Sequence, residues 1–304
     1  MKAVVIGGVN IDIGGISKAP LILGDSNPGK VTMSLGGVGR NIAHNLRLLD
    51  VPVTFLTAFG EDASASRIEA SCAVLGIDIS HARIVPDMNS STYLYISGPD
   101  GDMHCAVSDM DICEKISPDY ITGNLDLLQN ADAVVIDANL PEETIRYICA
   151  HTDRPIFADP VSTAKAGRLK ASLGKIRALK PNRLEAEILS GIPIRDEKSL
   201  EKAAKVLLES GLEQVYISLG KDGIFAGVKE ENSPDRFFRV PAIPVKVKNA
   251  TGAGDAFMAG LVKGYLKGLC PEESAVYALK AATITIEGRE TINSELSEEK
   301  IKSC

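Results

Sequence analysis

Short runs of Val, Ile, Leu and Ala alternate along this chain with stretches of helical period. Lys2–Gly7 (KAVVIG) is apolar at nearly every position, the pattern of a strand buried on both faces. Val38–Asp50 places Ile42, Leu46 and Leu49 on one stripe and predicts a helix. Pro52–Ala58 predicts the next strand and Ser64–Gly76 the next helix. Ala133–Asp137 and Pro155–Asp159 are apolar runs that both end in Asp. Ser199 is placed to cap a helix over Leu200–Ser210 that stops at Gly211. Gln214–Leu219 reads as a strand, and Gly254–Gly268 and Glu272–Gly288 as two closing helices. Alternation at this spacing predicts an α/β fold with a mainly parallel central sheet covered by helices on both faces.

Two regions depart from that rhythm. Ile11–Leu35 mixes Gly and Pro with short β-prone runs, and Ser90–Val107 alternates around Pro99-Asp100-Gly101, a hairpin pattern. Both are too polar for the central sheet. They predict a small β-sheet lid, with strands inserted at about 12–35 and 90–108 into a single domain spanning residues 1–304.

Composition narrows the functions available. The 304 residues are 45% apolar and 24% charged, with net charge -7 and no block of Lys or Arg. Trp is absent and aromatics are 5%, so neither an electrostatic nor a stacking surface for nucleic acid is expected. No apolar run reaches the about 18 residues of a membrane span. Asp12 arrives too early for a signal peptide. The six cysteines form no CxxC pair and the four histidines are dispersed. A zinc cage is not expected, and reduced thiols in a cytoplasmic protein are.

Three segments carry candidate chemistry. Asn249-Ala-Thr251-Gly252-Ala253-Gly254-Asp255 opens a predicted helix. Small residues there let N–H groups converge at the positive helix end, a site for an anion. Asp255 stands beside it, where a carboxylate can take the proton of an attacking hydroxyl. Gly36-Gly37-Val-Gly39-Arg40-Asn41 opens another helix, with Asn41 offering a donor and an acceptor to a polyol. Upstream, Gly8-Val-Asn10-Ile-Asp12 puts a carboxylate just past the first strand, where ligands bind in parallel sheets. In Lys180-Pro-Asn182-Arg-Leu-Glu185, Asn182 and Glu185 share a helix face and suit a hydrated Mg2+. By contrast Gly24–Val31 only imitates a phosphate-binding P-loop, because Val31 stands where Ser or Thr is needed and a strand follows in place of a helix.

Together the GGxGRN and TGAGD segments, with the N-x-x-E pair between them, resemble the PfkB, or ribokinase-like, carbohydrate and nucleoside kinases over the whole chain. The resemblance implies a three-layer α/β/α fold with a β lid and phosphorylation of an alcohol by ATP with Mg2+. It implies Asp255 as base, Gly252, Ala253 and Gly254 as anion hole, and Asn182 with Glu185 managing phosphate and metal. It assigns Asn10, Asp12, Gly36, Gly37, Asn41 and Asn139 to the acceptor. Ser218, Gly220, Gly223 and Thr251 go to the nucleotide. Asp25–Lys30, Gly36–Asn41, Ser108–Ile112, Asp159–Ser162 and Leu179–Glu187 are most similar to the pseudouridine kinases of that family. The implied reaction is then phosphorylation of the 5′-hydroxyl of pseudouridine, with ribose, another nucleoside or a ketohexose as alternative acceptors. Asn27 in the lid, together with Asp109 and Asp111, would face the base. Many members carry Asp where Asn249 stands, in a monovalent-cation site, so dependence on K+ is left open. Open lid edges point to a homodimer through the lid.

Overall fold

The computed structural model describes residues 1–230 and 232–304. Its strands are β1 (Ala3–Ile6), β2 (Asn10–Ser17), β3 (Gly29–Gly36), β4 (Val53–Leu56), β5 (Ala58–Gly60), β6 (Arg83–Val85) and β7 (Thr92–Ser97). They continue as β8 (Met103–Asp109), β9 (Ala133–Asp137), β10 (Ile156–Asp159), β11 (Ala178–Leu179), β12 (Gln214–Ser218), β13 (Ile224–Val228) and β14 (Arg236–Val240). The α-helices are α1 (Val38–Leu48), α2 (Ala63–Leu75), α3 (Pro118–Thr122), α4 (Leu125–Gln129), α5 (Glu142–His151) and α6 (Thr163–Ala166). They end with α7 (Arg183–Ser190), α8 (Glu197–Glu209), α9 (Ala253–Leu266), α10 (Pro271–Ile286) and α11 (Glu298–Ser303).

Eight strands form the central sheet in the order β14-β13-β12-β11-β10-β9-β1-β4. All neighbours from β4 to β12 are parallel, and β13 and β14 are antiparallel. Strand pleating sends alternate side chains to opposite faces. Ala3 and Val5 of β1 join one core with Ile42, Leu46 and Phe257, under α1, α2, α9, α10 and α11. Val4 and Ile6 join a second core with Leu128, Ile145 and Leu207, under α3 to α8. This is the three-layer arrangement the unbroken apolar runs predict. No helix among the described residues is long and apolar enough to cross a membrane.

Two local expectations change. The α8 helix starts at Glu197, because Asp196 is an earlier and fully formed cap: its side chain accepts from Ser199 N at 2.9 Å. Ser199 returns a bond to Asp196 N and is the third residue of a capping box, not the cap. The strand expected over Pro52–Ala58 breaks at Thr57, whose hydroxyl donates to Gly7 O at 2.8 Å, and the chain continues as β5 in a separate pair with β6.

The lid is a second sheet, β3-β2-β7-β8, closed at one end by a turn in which Gly101 N donates to Gly98 O. Its register puts Asp12, Tyr93, Tyr95, Thr32, Ser34 and Ser108 on one face. Ile13, Val31, Met33, Leu94, Ile96 and Val107 lie on the other.

Asp137, at the end of β9, fastens the layers where the lid strands depart. It is fully buried, and its two oxygens accept from Gly39 N at 2.7 Å, Asn139 N at 2.8 Å and Gly8 N at 3.0 Å. One side chain therefore ties the exit of β1, the first turn of α1 and its own loop. Burial pushes its carboxyl up to about 6 despite those three donors. A Cβ on Gly39 would lie 2.9 Å from Gly7 Cα, so only glycine lets α1 come this close. Asp137→Ala leaves three buried N–H groups without an acceptor. At about 1 kcal/mol or more each, the loss should reach at least about 3 kcal/mol. Urea unfolding measures it, and a loss below about 1 kcal/mol would show that water replaces the carboxylate at little cost.

Candidate active site

From β1 the chain runs outward to β4 in one direction and to β9 in the other, which opens a crevice at the carboxyl ends of the strands. Three adjacent strands deliver charge to that edge. Asp137 and Asp159 end β9 and β10 and are register partners, and Lys180 follows β11. The α9 helix arrives over the same edge. Its N-cap is Gly252, at φ 84°, where a Cβ would overlap Thr291 O. Asp255 sits in its first turn, buried, and accepts from Asn41 Nδ2 at 2.8 Å. Asn41 itself comes from α1, so the two glycine-rich segments of the sequence meet through this bond.

Electrostatics sharpens the Asp255 carboxyl. Burial raises its pKa first and the Asp159 carboxylate second; the Asn41 hydrogen bond and Lys180 pull it back, and Asp137 adds a further rise. The result is about 8, so Asp255 binds a proton far more strongly than an exposed aspartate. Lys180 is 6% exposed, with Nζ 3.3 Å from Asp159 Oδ2. Burial alone would lower its pKa, but Asp159, Glu185 and Asp255 outweigh that and hold it above the ordinary value, so the ammonium stays charged.

The turn Gly252-Ala253-Gly254 opens α9: Ala253 N donates to Ala250 O at 3.4 Å, while Gly252 N and Gly254 N, as at any helix start, have no backbone acceptor. Ala253 and Gly254 of this turn line a cavity of about 150 Å³ together with Lys180, Ser218, Gly220 and Gly223. Gly223, at φ 80°, brings that loop against Val240 O, which a Cβ would overlap. Ser218 N donates to Pro181 O at 2.9 Å, which joins this loop to the Asn182 segment. A wider open groove of about 860 Å³, lined by Asn182, Arg183 and Lys221, shares Ser218 with the cavity. Thr251 is exposed on the approach to α9, and its N–H donates to Asn249 Oδ1 at 2.9 Å. Asn249 Nδ2 in turn donates to Arg289 O at 3.2 Å, a neutral tie between two loops.

Asn182 and Glu185 do share one helix start, but as a capping box. Asn182 Oδ1 accepts from Glu185 N at 2.9 Å and Glu185 Oε2 accepts from Asn182 N at 2.8 Å. That leaves the Asn182 amide group and Glu185 Oε1 for a ligand. Among the described residues no group of three or more His, Cys, Asp or Glu is built to cage a metal. A buried carboxylate with one oxygen committed fits a Mg2+ that travels with nucleotide phosphates, and Glu185 would hold it through water.

At the root of the lid, Asp12 Oδ1 accepts from Asn10 Nδ2 at 2.6 Å. Its carboxyl is raised by burial, against the pull of Asn10 and of the Arg40 guanidinium. A Cβ on Gly36 would overlap Asp12 Oδ2, and one on Gly37 (φ 96°) would lie 2.5 Å from Gly8 O. Both glycines thus make room, one for a side chain and one for a backbone. Asn41 Oδ1 is buried without a partner, an acceptor that a substrate hydroxyl would satisfy. Asn139 is buried beside Gly8, with its Oδ1 bonded by Lys165 Nζ at 2.6 Å. Asn27 is placed differently from expectation: its amide is spent on Ile22 and Asp25 of its own exposed loop. Asp109 pairs with Thr92, on the face opposite Asp12, and Asp111 is exposed. Tyr93 and Tyr95 instead share the Asp12 face, with ring centroids 5.9 Å apart and the Tyr95 ring lying over Gly14.

Sequence reasoning passed over Asp137, Asp159 and Lys180. The signal was there in the two apolar runs that end in Asp, since a carboxylate at the carboxyl end of a buried parallel strand must face the crevice. Tyr93 and Tyr95 were equally legible once the alternation of STYLYIS was phased on Asp12.

Comparison with known proteins agrees with this geometry. The model of the pfkB family carbohydrate kinases matches residues 1–298. A pseudouridine kinase of Escherichia coli is 37% identical over 97% of this chain and 93% of its own length. A guanosine-inosine kinase of Exiguobacterium acetylicum is 28% identical over 92% of this chain and 91% of its own. The Arabidopsis thaliana ribokinase structure complexed with ribose and ATP superposes with a TM-score of 0.87 over 99% of this chain and 97% of its own, at 23% identity, and shows the shared ribokinase-like fold. With its glycine-rich helix start, its buried Asp255 and the match over nearly all its length, this chain belongs to the pfkB family of carbohydrate kinases, phosphotransferases with an alcohol acceptor.

Proposed function

We propose that the chain transfers the γ-phosphoryl group of ATP, with Mg2+, to the 5′-hydroxyl of pseudouridine. The observation that carries the chemistry is the Asn41–Asp255 bond at the mouth of α9. It fixes Asp255 Oδ2, leaving Oδ1 for the acceptor hydroxyl. As that oxygen attacks phosphorus, Asp255 takes its proton, the bond to the bridging oxygen breaks and ADP leaves. The N–H groups of the Gly252–Gly254 turn offset charge on the moving phosphoryl group. Mg2+ would neutralise the phosphates, and Asn182, Ser218, Gly220, Gly223 and Thr251 border the nucleotide.

For the acceptor, Asp12, Asn10 and Asn41 suit ribose hydroxyls, while Gly36 and Gly37 let the backbone close on them. The hydroxyls and rings of Tyr93 and Tyr95, beside Asp12, offer both stacking and hydrogen bonds to a uracil ring. The likeness to the E. coli pseudouridine kinase favours that nucleoside. The guanosine-inosine kinase relative supports the second reading, another nucleoside, with ribose or a ketohexose behind it. An ADP-release assay across pseudouridine, uridine, inosine, ribose and fructose decides. Pseudouridine should give a kcat/KM well above the rest, and a better rate with any other acceptor overturns the assignment. On the best acceptor, Asp255→Asn should lower kcat by about 10²–10⁴-fold with little change in acceptor Kd. A near-normal kcat in the folded variant removes Asp255 as base.

We also propose a homodimer in the cytoplasm, joined through the aliphatic lid face. Val31 and Val107 there are 69% and 65% exposed, with Met33, Leu94 and Ile96 beside them. A contiguous apolar face of this kind is characteristic of an interface. Val107→Lys should convert a dimer to a monomer in sedimentation; a wild-type protein that sediments as a monomer rejects the proposal.

A further inference from the structure

The segment Lys180–Glu185 drew notice for Asn182 and Glu185, yet its first residue is the one built most closely into the anion hole. A Cβ on Gly254 would lie 2.7 Å from Lys180 Nζ and 3.5 Å from its Cε, and no other heavy atom comes near. The ammonium therefore rests directly above the glycine whose N–H helps form the hole. Lys180 also lines the 150 Å³ cavity shared by Gly254, Ser218 and Gly223. Among the described residues its one ionic partner is Asp159, at 3.3 Å, and Asp159 Oδ2 finds no hydrogen bond of good geometry. An ammonium has three donors, so this pair leaves donors to spare.

We propose that Lys180 is a further catalytic residue, whose ammonium donates to oxygens of the γ-phosphoryl group during transfer. Asp159 parks the ammonium when no nucleotide is bound. This rests on the kinase chemistry and on Asp255 as base, and not on which acceptor is used. The balance is simple: the acceptor oxygen bonds to phosphorus, its proton passes to Asp255, the bridging P–O bond breaks, and Lys180 keeps its proton throughout. It contributes fixed positive charge where the backbone contributes N–H dipoles. The surrounding carboxylates matter here, because they keep that charge on a buried lysine that would otherwise lose it. Gly254 then has a second role besides turn geometry, since a Cβ at this position would force the ammonium to shift.

The test separates contact with the γ-phosphate from simple neutralisation of Asp159. Calorimetry is run with AMP-PNP and with ADP on Lys180→Met and on Lys180→Met/Asp159→Asn, alongside kcat on the best acceptor. In both variants AMP-PNP should bind at least about 10-fold more weakly while ADP changes by less than about 3-fold, the selective loss of one charge-assisted hydrogen bond. Removal of such a donor should lower kcat by about 10²-fold or more. Equal weakening of AMP-PNP and ADP, or recovery of kcat in the double variant, would overturn the proposal and leave Lys180 as the counter-ion of Asp159. The double variant carries no orphaned carboxylate, so it keeps the comparison valid if the single one folds poorly. The AMP-PNP arm needs no acceptor, so its outcome stands whatever becomes of the pseudouridine assignment.

Discussion

Several carboxylates must be held out of water along one edge of a single sheet, and most of the site follows from how that is done. Asp137 and Asp159 are side by side at the ends of neighbouring strands, and α9 lowers Asp255 onto the same edge. Each carboxylate is held in its own way. Asp137 takes three backbone N–H groups, Asp255 takes the Asn41 amide, and Asp159 takes Lys180 and the N–H of Val161 at 2.8 Å. Val161 sits at φ 66°, an unfavourable value for a β-branched residue. The turn after β10 thus stores strain where Asp159 is oriented, as functional loops often do.

The same constraint couples stability to chemistry. The Asp137 bonds position the first turn of α1, and that same turn carries Asn41, two residues after Gly39, to Asp255. A change at Asp137 would therefore be felt at Asp255, which it does not touch. The mutual repulsion of Asp159 and Asp255, together with their burial, is also what makes Asp255 basic. Lys180 limits that rise without cancelling it. The lid strands reach this region from another direction, with a face that carries Asp12, Ser34, Tyr93 and Tyr95. The opposite face is mostly aliphatic, with Ile13, Val31, Met33, Leu94, Ile96 and Val107 beside Thr92 and Asp109.

Much of this was legible in the sequence. KAVVIG, AVVID and the two closing helices announced their elements through period alone, because strands buried on both faces leave little room for polar residues. TGAGD and GGVGRN announced a helix start each, since glycines cluster where backbone must approach closely. What period and motif could not convey was partnership across space. Nothing local shows that Asn41 bonds Asp255, or that Lys180 covers Gly254. The Asn182–Glu185 pair was read as ligand chemistry and proved to be a capping box as well, because spacing of three serves both. Ser199 was misread for a related reason: Asp196 three residues earlier satisfies the same pattern. Asn27 lay in a polar loop that resembled a ligand contact, but its amide completes the turn it sits in.

Burial among like charges gives Asp255, held by Asn41, an unusually high proton affinity. The most direct measurement is a ¹³C NMR titration of the Asp255 carboxyl in the ligand-free protein, assigned by its loss in Asp255→Asn. The midpoint should lie at about 8, set by burial and Asp159, and fall clearly in Asp159→Asn, where a repelling charge is gone and Lys180 is freed. A midpoint near that of an exposed aspartate, about 3.9, unchanged in Asp159→Asn, would contradict it.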